Sequence, residues 1–280
     1  MKIFGLKILL NSADFLKRDE KSLYRVYKVP KKSGGERLLC EPCPELKALQ
    51  RELVPFFKQF RVTKYAAAYE KGCSVKNNAL SHAGARHILH TDVRDFFPSV
   101  SFGLFKKTFC KGMDEKTVDR LWRAVSFARG LPIGAPTSPF IGNRVLYKAD
   151  KKLGKLKMRY TRYADDLIFS AQKPIDAKVT GKIAKILAAN GFSLNRKKTY
   201  FMAGRKQVTG ILLHGDELSV GTPYKKRLKQ ELYNFLTKRE GHPDILRGKL
   251  AHLKYIEPEY AQNLKNKYRP LDKDGFLRFL

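Results

Sequence analysis

Acidic residues are scarce in this chain: 26 Asp and Glu stand against 57 Lys and Arg, giving a formal net charge of +31. Such an excess points to a polyanionic partner, because every phosphate a protein neutralises releases counterions. An anionic membrane surface would explain the charge equally well. Long apolar runs are also missing, however: no stretch is long enough to span a bilayer, and no membrane partner is expected. Met1–Leu10 loosely imitates an export leader, but Lys7 interrupts it and no clean small-residue cleavage site follows, so a cytoplasmic location is expected. Cysteine is sparse, at four residues. Cys40 and Cys43 form a C-x-x-C pair, but Cys73 and Cys110 stand too far off to complete a zinc site, so reduced thiols are the default. Repeats and low-complexity segments are absent. A hydrophobic content of 43%, with 18 Phe, describes a folded protein, and 280 residues allow one or two domains.

The stretch Arg159–Ser170 has aromatic and β-branched flanks around a polar centre, Tyr163-Ala164-Asp165-Asp166. This predicts a β-hairpin carrying two adjacent carboxylates at its tip. Neighbouring like charges repel unless a cation sits beside them, and Mg²⁺ is a natural partner for carboxylate oxygens. A plain acidic turn is the alternative for the pair taken alone. Upstream, the apolar run Ile88-Leu89 leads to a further Asp in His90-Thr91-Asp92-Val93-Arg94-Asp95-Phe96-Phe97. Asp92, Asp165 and Asp166 on adjacent strands would suit two metal ions about 3.5–4 Å apart, the arrangement used for in-line phosphoryl transfer.

Other segments read as scaffold. Leu23–Val29 alternates as a strand, Pro30–Gly35 turns it and Glu36–Cys40 returns. Leu46, Leu49, Leu53, Phe56, Phe57 and Phe60 recur at helical spacing. A short helix is expected near the N-terminus, covering core with Ile3, Phe4, Leu6, Leu9 and Leu10. Asp114 caps a predicted helix over 114–128, with Val118, Leu121, Trp122 and Val125 on one face. A further helix carries Val179, Ile183, Ile186 and Leu187 and stops at Asn190-Gly191. Asn78 and His82, four apart, read by themselves as a surface-helix face. Gln207–Leu213 reads as one short strand, Thr222 as a cap before Pro223, and residues beyond 222 as three helices.

Taken in order, the motifs resemble a known family. Tyr163-Ala164-Asp165-Asp166 with Asp92–Phe97 upstream is similar to the palm of reverse transcriptases. Asn78-Ala79-x-x-His82 and Val208-Thr209-Gly210 resemble elements of the retron branch, and Pro132-Ile133-Gly134-Ala135-Pro136-Thr137-Ser138-Pro139 resembles its Pro-Gln-Gly-Ala-Pro-Thr-Ser-Pro loop, with Ile133 where Gln is common. That departure leaves only apolar packing at the position. The resemblance implies an α+β right-hand polymerase fold: fingers over 1–90, a palm of antiparallel sheet and packed helices over 91–215, and a helical thumb over 216–280. No endonuclease, RNase H or maturase extension is expected after the thumb.

The resemblance also implies site roles. Asp92, Asp165 and Asp166 would be catalytic, holding two Mg²⁺ with help from the Val93 carbonyl. Nucleotide contacts would come from Lys31, Arg37, Asp95, Phe96, Phe97 and Lys198, although residues alone make Phe96 core. Phe97 would reject a 2′-hydroxyl sterically. Lys198, or failing that Lys197, would give a proton to the leaving pyrophosphate. Asn78, His82, Val208, Thr209 and Gly210 would recognise RNA. The expected activity is RNA-directed DNA synthesis on a cognate structured non-coding RNA, primed from a guanosine 2′-hydroxyl and leaving a branched RNA–DNA. Expected partners are that RNA, its DNA product, dNTPs and an accessory effector, in bacterial phage defence. A group II intron-type or diversity-generating enzyme, and a non-catalytic RNA-binding protein, remain the rivals.

Overall fold

Local chemistry sets many element ends in the computed structural model, which describes residues 3–30 and 34–280. Lys31 falls outside them. In chain order, α1 (Ile3–Ser12) precedes the hairpin of β1 (Tyr24–Pro30) and β2 (Glu36–Pro42), then α2 (Pro44–Lys58), α3 (Val75–Leu80) and β3 (His87–Asp92). Next come α4 (Phe102–Phe109), α5 (Glu115–Val125), α6 (Ser138–Val145), α7 (Tyr147–Leu153), β4 (Arg159–Tyr163), β5 (Asp166–Ala171) and α8 (Lys178–Ala188). The chain continues through β6 (Tyr200–Met202), β7 (Lys206–Val208), β8 (Ile211–His214) and β9 (Glu217–Ser219) to α9 (Thr222–Lys238), α10 (Pro243–Ile256) and α11 (Pro258–Tyr268). Ser74, Ser101 and Asp114 each precede a helix and accept the backbone N–H three residues on, satisfying an amide that has no partner within the helix. Pro44, Pro243 and Pro258 open helices where a missing N–H costs nothing.

One sheet has the strand order β4-β5-β3-β6, a second β7-β8-β9, and β1 pairs with β2 alone. The α+β class expected from the sequence is what these elements form. The chain gathers into two compact units, residues 1–72, 89–169 and 175–201 in one, and 73–88, 170–174 and 202–280 in the other. The first is built on α2, whose Leu46, Leu49, Leu53, Phe56 and Phe57 are buried as the helical period requires. Phe57 meets Phe56, Phe105 and Phe109, with ring centroids 5.1–6.1 Å apart. In the second unit, Leu228 and Leu232 of α9 pack with Leu250 and Leu253 of α10 and Leu264 of α11. Among the described residues no helix is long and apolar enough to cross a membrane.

Four expectations change. Ile3 and Phe4 are exposed, and only Leu6 and Leu10 of α1 are fully buried, because one side of a ten-residue helix fits the core. Thr222 is the first helical residue and Gly221 occupies the cap without a side-chain bond. Asn78 and His82 are buried, not on a surface face. The segment through Val208 and Ile211 is a hairpin rather than one strand: Thr209 and Gly210 have φ of +47° and +85°, both in the left-handed region that a tight two-residue turn demands.

Removing one ring from the aromatic cluster tests its packing. Phe57→Ala should cost about 3–5 kcal/mol in urea unfolding; a loss under about 1 kcal/mol would mean that the neighbouring rings close the gap.

Candidate active site

Strand β3 ends in Asp92, and β4 and β5 are joined by the two-residue turn Ala164-Asp165, with Asp166 opening β5. Ala164 has φ +57°, a conformation costing a non-glycine residue about 1–3 kcal/mol unless its surroundings impose it. Two sets of backbone bonds bring the carboxylates together. The Val93 N–H donates to the Asp165 carbonyl at 3.0 Å, joining the end of β3 to the turn. On the other side, Asn195 N–H donates to the Asp92 carbonyl at 2.9 Å and Arg94 N–H to that of Ser193 at 2.8 Å, which sets Lys198 beside Asp92.

Asp92 is 1% exposed. Its Oδ2 takes the Lys198 ammonium, while its buried Oδ1 has no hydrogen-bond partner. Burial, then the charges of Asp166 and Asp92, push the Asp165 carboxyl up to about 6, against the pull of Lys198. Asp166 Oδ1 lies 3.2 Å from His90 Nε2, and the His90 ring stacks on Tyr200 at 4.8 Å. The hydrogen bond to Asp92 holds the Lys198 ammonium more firmly protonated than usual. Lys197 is exposed and makes no such contact, so of the two lysines Lys198 stands at the carboxylates.

Behind the turn lies a buried polar centre. Arg162 and Asp150 are both 0% exposed, and Arg162 Nε and Nη2 each reach an Asp150 oxygen at 2.9 Å. Arg162 Nη1 donates to Asn143 Oδ1 and to the Ala164 carbonyl, both at 3.0 Å, and Nη2 also reaches the Asn143 carbonyl at 3.3 Å. Tyr160 and Thr63 hydroxyls complete Asp150 at 2.9 Å each. Asn143 Nδ2 holds the Ala68 carbonyl at 2.8 Å and Glu70 at 3.1 Å. Between these two anchors, Tyr69 has φ +64° and a half-exposed side chain. Burial and then the charge of Asp165 raise its phenol.

The remaining candidates divide by exposure. Phe97 is half-buried, and a Cβ on Gly142 would meet its ring at 2.9 Å, so this glycine of α6 makes room for it. Phe96, grouped above with the nucleotide contacts, is 4% exposed and packs on Phe97 and Phe192; its ring belongs to the core. Asp95 is exposed with φ +44°, and its backbone carbonyl takes the Ser99 N–H at 2.9 Å. Arg37 is exposed on β2 opposite Val29. The Ile133 carbonyl accepts from Cys40 N–H at 2.7 Å, and Gly134 at φ +118° lets the loop approach β2.

In the second unit, α3 packs on the β7–β8 hairpin. Thr209 Oγ1 donates to the Val75 carbonyl at 3.2 Å, and Val208 is buried. His82 Nδ1 lies 2.7 Å from Ser170 Oγ, while both side-chain polar atoms of buried Asn78 lack a hydrogen-bond partner. Asn78, His82 and Val208 therefore brace this element from inside, and Gly210 is exposed at the turn.

Among the described residues, no three His, Cys, Asp or Glu side chains are already gathered round one ion position. The three carboxylates nonetheless supply hard oxygen donors, including the unpartnered Asp92 Oδ1, which suit Mg²⁺ rather than a soft metal. His90, Tyr69, Asn143 and the Arg162–Asp150 pair are the neighbours that sequence reasoning missed. His90 alone left a signal, standing two residues before Asp92 on the same face of β3.

Residues 29–236 match the reverse transcriptase (RNA-dependent DNA polymerase) family. The chain is 32% identical over 276 residues to the retron Mx65 reverse transcriptase of Myxococcus xanthus, covering 88% of this chain and 64% of that one. It is 30% identical over 291 residues to the retron Ec86 reverse transcriptase of Escherichia coli, covering 96% and 88% respectively. With the retron Ec73 reverse transcriptase of the same organism it shares 31% identity over 270 residues, covering 86% and 85%.

The Asp165 carboxyl generates a stability test. Folded, it keeps its proton up to about 6, whereas an ordinary Asp releases it near 3.8. The folded state binds more protons between these values, so this group withdraws stability as pH rises through that window. Melting in chelator should show Asp165→Asn removing part of the decline between about pH 4 and about pH 6; identical slopes would refute the desolvated carboxyl.

Proposed function

As the chain belongs to the reverse-transcriptase family and, within it, to the retron enzymes, we propose that it copies part of a cognate structured non-coding RNA into DNA. With the family comes its right-hand polymerase fold. The observation that carries the reading is a crowd of carboxylates drawn from distant points of the chain, Asp92, Asp165 and Asp166, with the Lys198 ammonium on the most buried of them. The mechanism assigns two Mg²⁺ to these acids, with the Val93 carbonyl beside them. When bound, such ions activate the attacking hydroxyl and stabilise the departing pyrophosphate.

The chain's own residues supply the rest. Lys198 neutralises Asp92 and carries at Nζ a proton suited to the pyrophosphate. His90 orients Asp166. The Phe97 ring, seated over Gly142, leaves no room for a 2′-hydroxyl. Arg37, with Lys31, grips the triphosphate, and the exposed Asp95 lies on the same loop as Phe97. The Thr209-Gly210 turn, braced by α3 with Asn78 and His82, offers a backbone surface to the cognate RNA. Phosphates along both strands are held by the chain's Lys and Arg, whatever the sequence. The reading extends to priming from a guanosine 2′-hydroxyl, a branched RNA–DNA product and a role with an accessory effector in phage defence.

Asp165→Asn should lower dNTP incorporation on a primed RNA by at least about a hundredfold, since a metal-held charge is worth several kcal/mol in the transition state. RNA affinity should hold within about twofold, because this acid grips no phosphate. Unchanged incorporation would refute the catalytic assignment. Nucleic acid copurified with the intact protein should contain a short DNA joined to RNA through a 2′-linkage; its absence would refute the priming. Phe97→Val should admit ribonucleotides about ten- to hundredfold better, read from single-nucleotide addition, and unchanged sugar selectivity would place the ring elsewhere.

A further inference from the structure

We propose that Arg162 is a positioning residue for the catalytic turn: neutralised by Asp150, it clamps the Ala164 carbonyl and, through Asn143, the segment carrying Tyr69 onto one rigid centre. The proposal rests on the function proposed above. A guanidinium has five N–H donors in a fixed plane. All five are spent here, on Asp150, on the side chain and carbonyl of Asn143, and on Ala164. The only one of these acceptors outside α6 and α7 is the carbonyl of Ala164, the residue whose left-handed backbone turns Asp165 towards Asp92. The backbone of Arg162 is tied as well: its N–H donates to the Tyr65 carbonyl and its carbonyl accepts from Ala67, both at 2.7 Å. Asn143 then grips Ala68 and Glu70 on either side of Tyr69. The turn and the Tyr69 segment thus share one reference point, which no single backbone ladder gives them.

A lysine cannot replace this fork, because an ammonium is a single compact charge without the planar reach to two acceptors in opposite directions. Deleting either charge alone strands the other in the interior. Replacing the pair by apolar residues of similar volume avoids that penalty, so it separates positioning from folding.

The test is the double variant Arg162→Met with Asp150→Leu, compared with the parent chain. A positioning role predicts a folded chain with near-parent RNA affinity, but amides of residues 163–167 that exchange at least tenfold faster. The dNTP kcat should fall about a hundredfold while KM moves less than about threefold. Parent-like exchange and kcat in a folded double variant would overturn the proposal. If the double variant does not fold, Arg162→Lys decides: it keeps the charge opposite Asp150 and should reproduce both effects, and parent-like exchange with full kcat would overturn the clamp. Hydrogen exchange needs no polymerase activity. A parent that adds no nucleotide would therefore sink the proposed function, while the exchange comparison still judges the clamp.

Discussion

The Arg162–Asp150 ion pair is the constraint on which the site unit depends. Taking two charges fully out of water costs several kcal/mol per ion, recovered only if each donor and lone pair finds a partner. Here the recovery is complete: Tyr160, Thr63 and Asn143 satisfy what the two charges leave over. Such pairs add little net stability against a well-packed apolar core. Their effect is geometric, since any shift of β4 against α6, α7 or the segment after α2 breaks several charge-assisted bonds at once. The parallel bridge between Ala66 and Arg162 fixes that register.

In front of the pair, the electrostatics run the other way. Asp92, Asp165 and Asp166 are crowded and incompletely neutralised: burial and the neighbouring charges hold the Asp165 proton up to about 6, and one buried Asp92 oxygen has no partner. A buried carboxylate oxygen without a partner is a donor that a hard cation can take. Lys198 supplies one positive charge to a site with three negative ones. The shortfall of two charges is one that a divalent cation would fill, and the chain's +31 charge suits a polyanion.

How far the sequence reached follows from the range of the forces involved. The cap at Asp114, the buried stripe of α2 and the β4–β5 hairpin all depend on neighbours within a few residues, and their patterns are legible in one dimension. The Val208–Ile211 hairpin was not: a Thr at positive φ breaks the usual turn chemistry and is held there by contact with Val75, far away in the chain. Asn78 and His82 read as a polar helix face because nothing local reveals that the β7–β8 hairpin and Ser170 cover them. Of the adjacent aromatics, Phe96 reads as core from its residue type, while the resemblance sets both among the nucleotide contacts. Only packing against Phe192 and the gap left by Gly142 assigns one to the core and the other to a half-open position.

The amino-acid sequence by itself marked out three acids as candidates, the kind of strand and turn that present them, and a charge suited to a polyanion, because residue type, spacing and net charge are local or additive quantities. Tertiary structure alone decided that Lys198 rather than Lys197 meets Asp92, that His90 faces Asp166, and that Arg162 finds its counter-charge in Asp150. These are pairings between separate elements, and burial gives them their strength; in water the same charges would scarcely notice one another.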